Sequence, residues 1–111
     1  MAEKRVSLYE ALLKLKTADE GERFLKDLCT PSELRDLNER WLVAQMLDGG
    51  APYREIHESR GVSTTTIGRV ARFLNNEDYK GYKLILERIN DKKRQIADSS
   101  AKIRQAFGKK F

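Results

Sequence analysis

One cysteine, one histidine and two prolines among 111 residues leave this chain short of the residue types that staple, metallate or interrupt small folds. Cys29 has no partner for an internal disulfide. With His57 as the only histidine there is no Cys/His set of the zinc type, so a structural metal is not expected. The same scarcity removes the usual nucleophile, base and orienting group of covalent catalysis, and no glycine-rich phosphate loop is present. The expectation is a non-enzyme without a cofactor. No apolar run approaches the length of a membrane span, and Met1-Ala2-Glu3-Lys4-Arg5 lacks the basic-then-apolar order of a secretory signal. No membrane association and residence in the cytoplasm are expected.

What the chain has in quantity is charge, 35% of its residues, beside 40% apolar residues. That profile predicts an all-α protein with solvated outer faces. The net charge of +5 is unevenly placed: residues 1–90 carry 15 basic and 15 acidic side chains, whereas residues 91–111 carry seven basic residues against Asp91 and Asp98. Those seven are Lys92, Lys93, Arg94, Lys102, Arg104, Lys109 and Lys110. Within the neutral part, residues 52–76 hold Arg54, Arg60, Arg69 and Arg72 against Glu55 and Glu58, a local excess usable by a polyanion.

Hydroxyl caps and apolar spacing predict about six helices. Ser7-Leu8-Tyr9-Glu10 has capping-box spacing and precedes Leu8, Ala11, Leu12 and Leu15 on one face. Thr17-Ala18-Asp19-Glu20 repeats it before Phe24, Leu25 and Leu28, with an end near Cys29. Thr30-Pro31-Ser32-Glu33 combines a cap, a proline at the first helical position and a returning glutamate; it opens a long helix to Asp48, stopped by Gly49-Gly50. The second half of that helix, with Leu42, Val43, Met46 and Leu47, is apolar nearly all round and should be enclosed on several sides, with a second subunit able to help. Trp41 and Met46 read as core before they read as a ligand pocket. A short helix opened by Pro52 reaches Arg60, and another started by Ser63 or Thr64 reaches Leu74. A last helix from about Asp78 carries Tyr82, Ile85, Leu86 and Ile89 on its buried face. Ile89, Ile96 and Ile103 fall seven apart, but the lysines and serines between them do not complete a heptad, so the tail either extends the last helix or is partly disordered.

The stretch 53–74 carries the chemistry. Two short helices meeting at a tight turn need a residue at the corner that tolerates positive φ, and Gly61 supplies it. Ile56, Val62, Ile67 and Val70 are the aliphatic inner positions of such a helix-turn-helix. Left outside are Ser63, Thr64, Thr65, Thr66, Gly68, Arg69 and Arg72: short hydroxyls, a glycine without bulk, and arginines able to hold guanine or phosphate. The bland alternative is a helical hairpin with a Ser/Thr cap and solvated arginines. Consecutive β-branched hydroxyl residues are mediocre helix formers, a poor choice for an exposed face with nothing to touch. His57 and Arg60 stand where a small and an apolar residue are usual. His57 reads as a packing or phosphate-contact residue, having no catalytic partner.

Thr30-Pro31, Arg40, the glycine-ended long helix, Arg54-Glu55-Ile56, Gly61, Thr66-Ile67 and Arg69 together resemble the Trp repressor family, in its YerC/YecD-like branch, over about residues 5–90. The resemblance implies an intertwined homodimer of all-helical chains presenting two helix-turn-helix heads to successive major grooves of double-stranded DNA. It assigns residues 1–90 to the DNA-binding domain and 91–111 to a basic C-terminal extension. Thr66 matches a threonine facing the operator and Arg54 an arginine near the DNA backbone; Tyr53, Ser63, Thr64, Thr65, Arg69 and Arg72 complete the expected DNA-binding set. Arg40 and Arg69 match the two arginines that hold the tryptophan corepressor. Val70 and Phe73 stand where the family has a glycine and a serine, so Arg40, Arg69, Val70 and Phe73 mark a candidate effector pocket that tryptophan is not expected to fill. The implied function is sequence-specific transcriptional regulation, as a repressor. The competing class is a module that binds nucleic acid without sequence preference through its basic tail, or binds protein.

Overall fold

The computed structural model describes residues 4–76 and 79–107, with side chains as far as Ala97. It contains six helices in the order α1 (Leu8–Leu12), α2 (Ala18–Leu28), α3 (Pro31–Asp48), α4 (Tyr53–Arg60), α5 (Thr64–Asn75) and α6 (Gly81–Phe107), and no strand among the described residues. The chain packs as two compact units, Met1–Glu39 and Arg40–Phe111, the division falling inside α3.

In the first unit local chemistry sets the helix starts. The Ser7 hydroxyl accepts the Glu10 amide at 3.1 Å, and α1 stops at Leu12, before the fourth apolar residue of its expected face, Leu15. Thr17 accepts the Glu20 amide at 3.1 Å, while the Glu20 carboxylate accepts from the Lys16 N–H at 2.9 Å. At the start of α3 the capping box closes in both directions, Thr30 Oγ1 accepting the Glu33 amide at 3.1 Å and Glu33 Oε1 the Thr30 amide at 2.8 Å. Those bonds hold the Glu33 carboxyl below its ordinary range, the Thr30 backbone amide being the larger cause and the hydroxyl the smaller. Lys26 and Glu22 pair at 2.6 Å one turn apart, which lowers the Glu22 carboxyl, chiefly through the hydrogen bond. Neither α1 nor α2 contains a buried residue.

Every buried residue among those described lies in the second unit. Val43, Ala44, Ile56, Val62, Ile67 and Val70 form one cluster, with Trp41, Met46, Leu47, Ala51 and Tyr82 packed against it. Trp41 and Tyr82 stack with ring centroids 6.3 Å apart, so Trp41 belongs to this packing. The expected all-round enclosure of α3 is only half realised in one chain: Val43 and Ala44 are fully buried, whereas Leu42 is exposed. The last helix departs further from expectation. Leu86 is buried, but Ile85 and Ile89 remain exposed because α5 covers only one side of α6. The helix begins at Gly81, after Lys80 in the left-handed region at φ 57°; the expected start at Asp78 lies outside the described residues. The helix continues to Phe107.

Candidate nucleic-acid interface

The α4–α5 corner is built from backbone geometry first. Gly61 adopts φ 68° and ψ 15°, a left-handed conformation that a side chain would strain, and its N–H closes α4 on the His57 carbonyl at 2.9 Å. The His57 ring then crosses the corner: Nδ1 lies 2.7 Å from the Val62 carbonyl oxygen. Since a carbonyl only accepts, Nδ1 carries the proton and the ring donates. His57 therefore fastens the turn. The spacing alone could not reveal this, because the bond depends on the direction in which Gly61 turns the chain.

Ser63 starts α5, accepting the Thr66 amide at 3.1 Å, and its hydroxyl donates to Thr66 Oγ1 at 2.9 Å. Behind it Ile67, Val70, Ala71 and Leu74 are buried on one face, and Ile56 and Val62 close the same core from α4 and the turn. All four predicted inner aliphatics are thus inside. The opposite face presents Thr64, Thr65, Arg69 and Arg72, all exposed. Gly68 shares that face, and a methyl group built on it would meet nothing within 4 Å. Packing therefore gives no reason for a glycine in the middle of this helix.

The candidate residues divide by the work they already do. Ser63 and Thr66 are joined in the helix cap, as the bland reading of the hydroxyl run requires. The side chains of Thr64 and Thr65 make no hydrogen bond with any described residue. Arg54 is exposed and pairs with Glu58 at 3.1 Å along α4. Tyr53, at the first turn of α4, meets the outer face of α5 in a polar depression of about 490 Å³ lined by Gly68, Ala71, Arg72, Asn75 and Asn76. The structure thus brings Tyr53 and Arg72 together, a juxtaposition their 19-residue separation did not suggest.

The four candidate effector positions lie in different surroundings. Val70 is 1% exposed and belongs to the core, so it does not line an open cavity. The Arg69 guanidinium lies over the Phe73 ring, 6.0 Å from its centroid. An open cleft of about 430 Å³ occurs on the Phe73 side, lined by Phe73, Tyr79, Gly81 and Tyr82, and Arg40 is not among its lining residues. No group of three or more His, Cys, Asp or Glu side chains among the described residues could hold a metal ion.

A left-handed glycine corner, a filled aliphatic core behind it and a second helix with an open polar face define a helix-turn-helix protein. Comparison with known proteins makes that class specific. Residues 3–90 match the Trp repressor protein family. The uncharacterised protein YerC of Bacillus subtilis (strain 168) is 40% identical over 84 residues, covering 76% of this chain and 80% of that protein. A TrpR-like protein from Eubacterium eligens ATCC 27750 superposes with a TM-score of 0.69 at 42% identity, covering 75% of this chain and 84% of the other. A candidate Trp repressor from Staphylococcus aureus gives 0.68 at 40% identity, covering 75% and 82%. The chain belongs to the Trp repressor family, in its YerC-like branch. No described helix is long and apolar enough to cross a membrane.

Proposed function

We propose that this protein is a sequence-specific transcriptional regulator, a repressor, that binds double-stranded DNA in the cytoplasm as a homodimer and does not use tryptophan as corepressor. One observation carries the reading: the outer face of α5 offers Thr64, Thr65, Gly68, Arg69 and Arg72 to solvent, while the opposite face is anchored in a finished core. Thr64, Thr65 and Gly68 are costly choices in an exposed helix unless something approaches closely. Under this reading Thr64–Thr66 and Arg69 read base edges; Arg72 and Tyr53 hold phosphate beside them, and Ser63 and Arg54 flank the contact. Repression is inferred from the name of the family. Dimerisation is supported by the uncovered apolar residues of α1, α2 and α6, which a second copy would bury. Tryptophan is disfavoured because Arg69, one of the two corepressor-type arginines, is engaged by Phe73 where the family has a serine.

Selection of bound fragments from the source genome, with and without added amino acids, tests the reading. The expected result is a two-fold symmetric site whose preference over random duplex, on the order of 10³ or more, falls in Thr65→Ala and Thr66→Ala. Equal loss for site and random duplex would overturn base reading by α5. Light scattering should return twice the 12.8 kDa chain mass, and a tryptophan titration should give no stoichiometric heat.

A further inference from the structure

Helix α6 changes character at Asn90. Before that point it is held down: Tyr82 stacks on Trp41, Leu86 is 5% exposed, and Asn90 Nδ2 donates to Asp48 Oδ2 at 3.3 Å. These three anchors, four residues apart, lie along one face of the helix. Beyond them every described side chain, 91–97, is exposed. The family match ends at the same residue, and so does charge neutrality, since residues 91–111 contain seven basic residues and two acidic ones. Asp91 is already paired with Arg94 at 3.3 Å, while Lys92 and Lys93 make no ion pair with any described residue. The helix nevertheless continues to Phe107, adding roughly 25 Å beyond Asn90 at 1.5 Å per residue.

We infer that residues 91–107 form a rigid basic arm, fixed to α3 through Tyr82 and Asn90 and to the core that α3 shares with the helix-turn-helix, that holds the phosphate backbone of duplex DNA without reading its sequence. The inference rests on the DNA-binding reading of the head and adds a contact outside the part of the chain that the family shares. DNA is favoured over a lipid surface because the sequence of residues 91–107 has five cations, Lys92, Lys93, Arg94, Lys102 and Arg104, against three large apolar residues, Ile96, Ile103 and Phe107. A helical mount gives the cations a fixed spacing relative to α5, against a polyanion bearing one charge per ~1.7 Å of axis. A loose tail of the same composition would supply charge without that register.

The test uses the full chain and two duplexes, one of random sequence and one recovered by genomic selection, with affinity measured by fluorescence anisotropy from 50 to 200 mM salt. The triple variant Lys92→Gln, Lys93→Gln, Arg94→Gln keeps good helix formers, and circular dichroism checks that helix content is retained. Its slope of log affinity against log salt should be shallower by about 2, at roughly 0.9 for each of the two phosphate contacts of Lys92 and Lys93, Arg94 being paired with Asp91, with an equal loss of about tenfold or more on both duplexes. Insertion of Gly-Ser-Gly after Asn90 keeps every charge and should still cost about threefold, because the register is lost. An unchanged slope in the triple variant would overturn the arm while leaving the head intact. A changed ratio between the two duplexes would overturn its sequence independence, and an unchanged affinity after the insertion would overturn its rigidity. If the unsubstituted chain bound neither duplex, head and arm would both fall.

Discussion

Residues 4–39 and residues 53–75 are both helical, the first begun by the hydroxyl caps Ser7, Thr17 and Thr30 and the second by Pro52 and the hydroxyl cap Ser63, yet they reach opposite ends of the burial scale. In the first stretch no residue is buried, and Val6, Tyr9 and Leu13 are 56%, 79% and 84% exposed. In the second, Ile56 and Ile67 are fully buried and Val70 nearly so. The difference lies in the path of the chain after the helices begin. The α4–α5 pair folds back at Gly61, so its two apolar stripes meet each other. The stripes of α1 and α2 have caps and i,i+4 ion pairs but no enclosed core, and isolated helices of 5 and 11 residues are marginal on such local terms alone. The apolar stripes of the N-terminal region are left uncovered in one chain, whereas the head is complete in it. This contrast supports the dimer.

The experiments that press on that contrast run from the largest expected effect downward. Ile67→Ala should destabilise the head by about 2–5 kcal/mol in chemical denaturation, whatever the protein concentration, because it empties a fully enclosed site. Leu8→Ser with Leu13→Ser should be nearly neutral for an isolated chain but should lower the thermal midpoint in a concentration-dependent way if a second copy covers α1. A concentration-independent midpoint would break the link between exposure and assembly. At the corner, Gly61→Ala forces a side chain into φ 68° and should cost about 1–2 kcal/mol. His57→Ala should cost about 1 kcal/mol through the bond to Val62, and His57→Asn, whose amide can donate from a similar position, should recover part of it.

Gly68→Ala is the smaller but more discriminating change. With nothing within 4 Å of the added methyl, it should stabilise α5 by roughly 0.5–1 kcal/mol while weakening binding to the selected duplex. A gain in stability with unchanged binding would remove the glycine from the interface. The smallest effect is at Glu33. Its carboxyl is lowered in the folded chain from an ordinary value near 4.5, so its contribution to the start of α3 is fully present above that value and is lost as pH falls through the lowered one. Glu33→Gln should flatten that acid limb of the stability profile.

Much of this was legible along the chain because it is local. Ser7, Thr17, Thr30 and Ser63 cap the helices their spacing announced, and all four aliphatics assigned to the inside of the helix-turn-helix are buried. Other features were hidden because they depend on elements distant in sequence. Spacing places Ile85, Leu86 and Ile89 on one side of α6, but only the position of α5 decides that Leu86 alone is covered. Val70 could be both an inner packing residue and a pocket wall until the helix angle placed it in the core. The approach of Tyr53 to Arg72 likewise depends on how α4 crosses α5.

Composition, caps and periodicity determined an all-helical chain with a glycine-cornered helix pair, because helix starts, stops and faces are set within a few residues. Tertiary structure alone decided which apolar stripes are satisfied within one chain, that His57 fastens the turn, and that the basic C-terminal run begins where the anchored part of α6 ends. Those outcomes depend on the direction in which one element meets another, which no local spacing encodes.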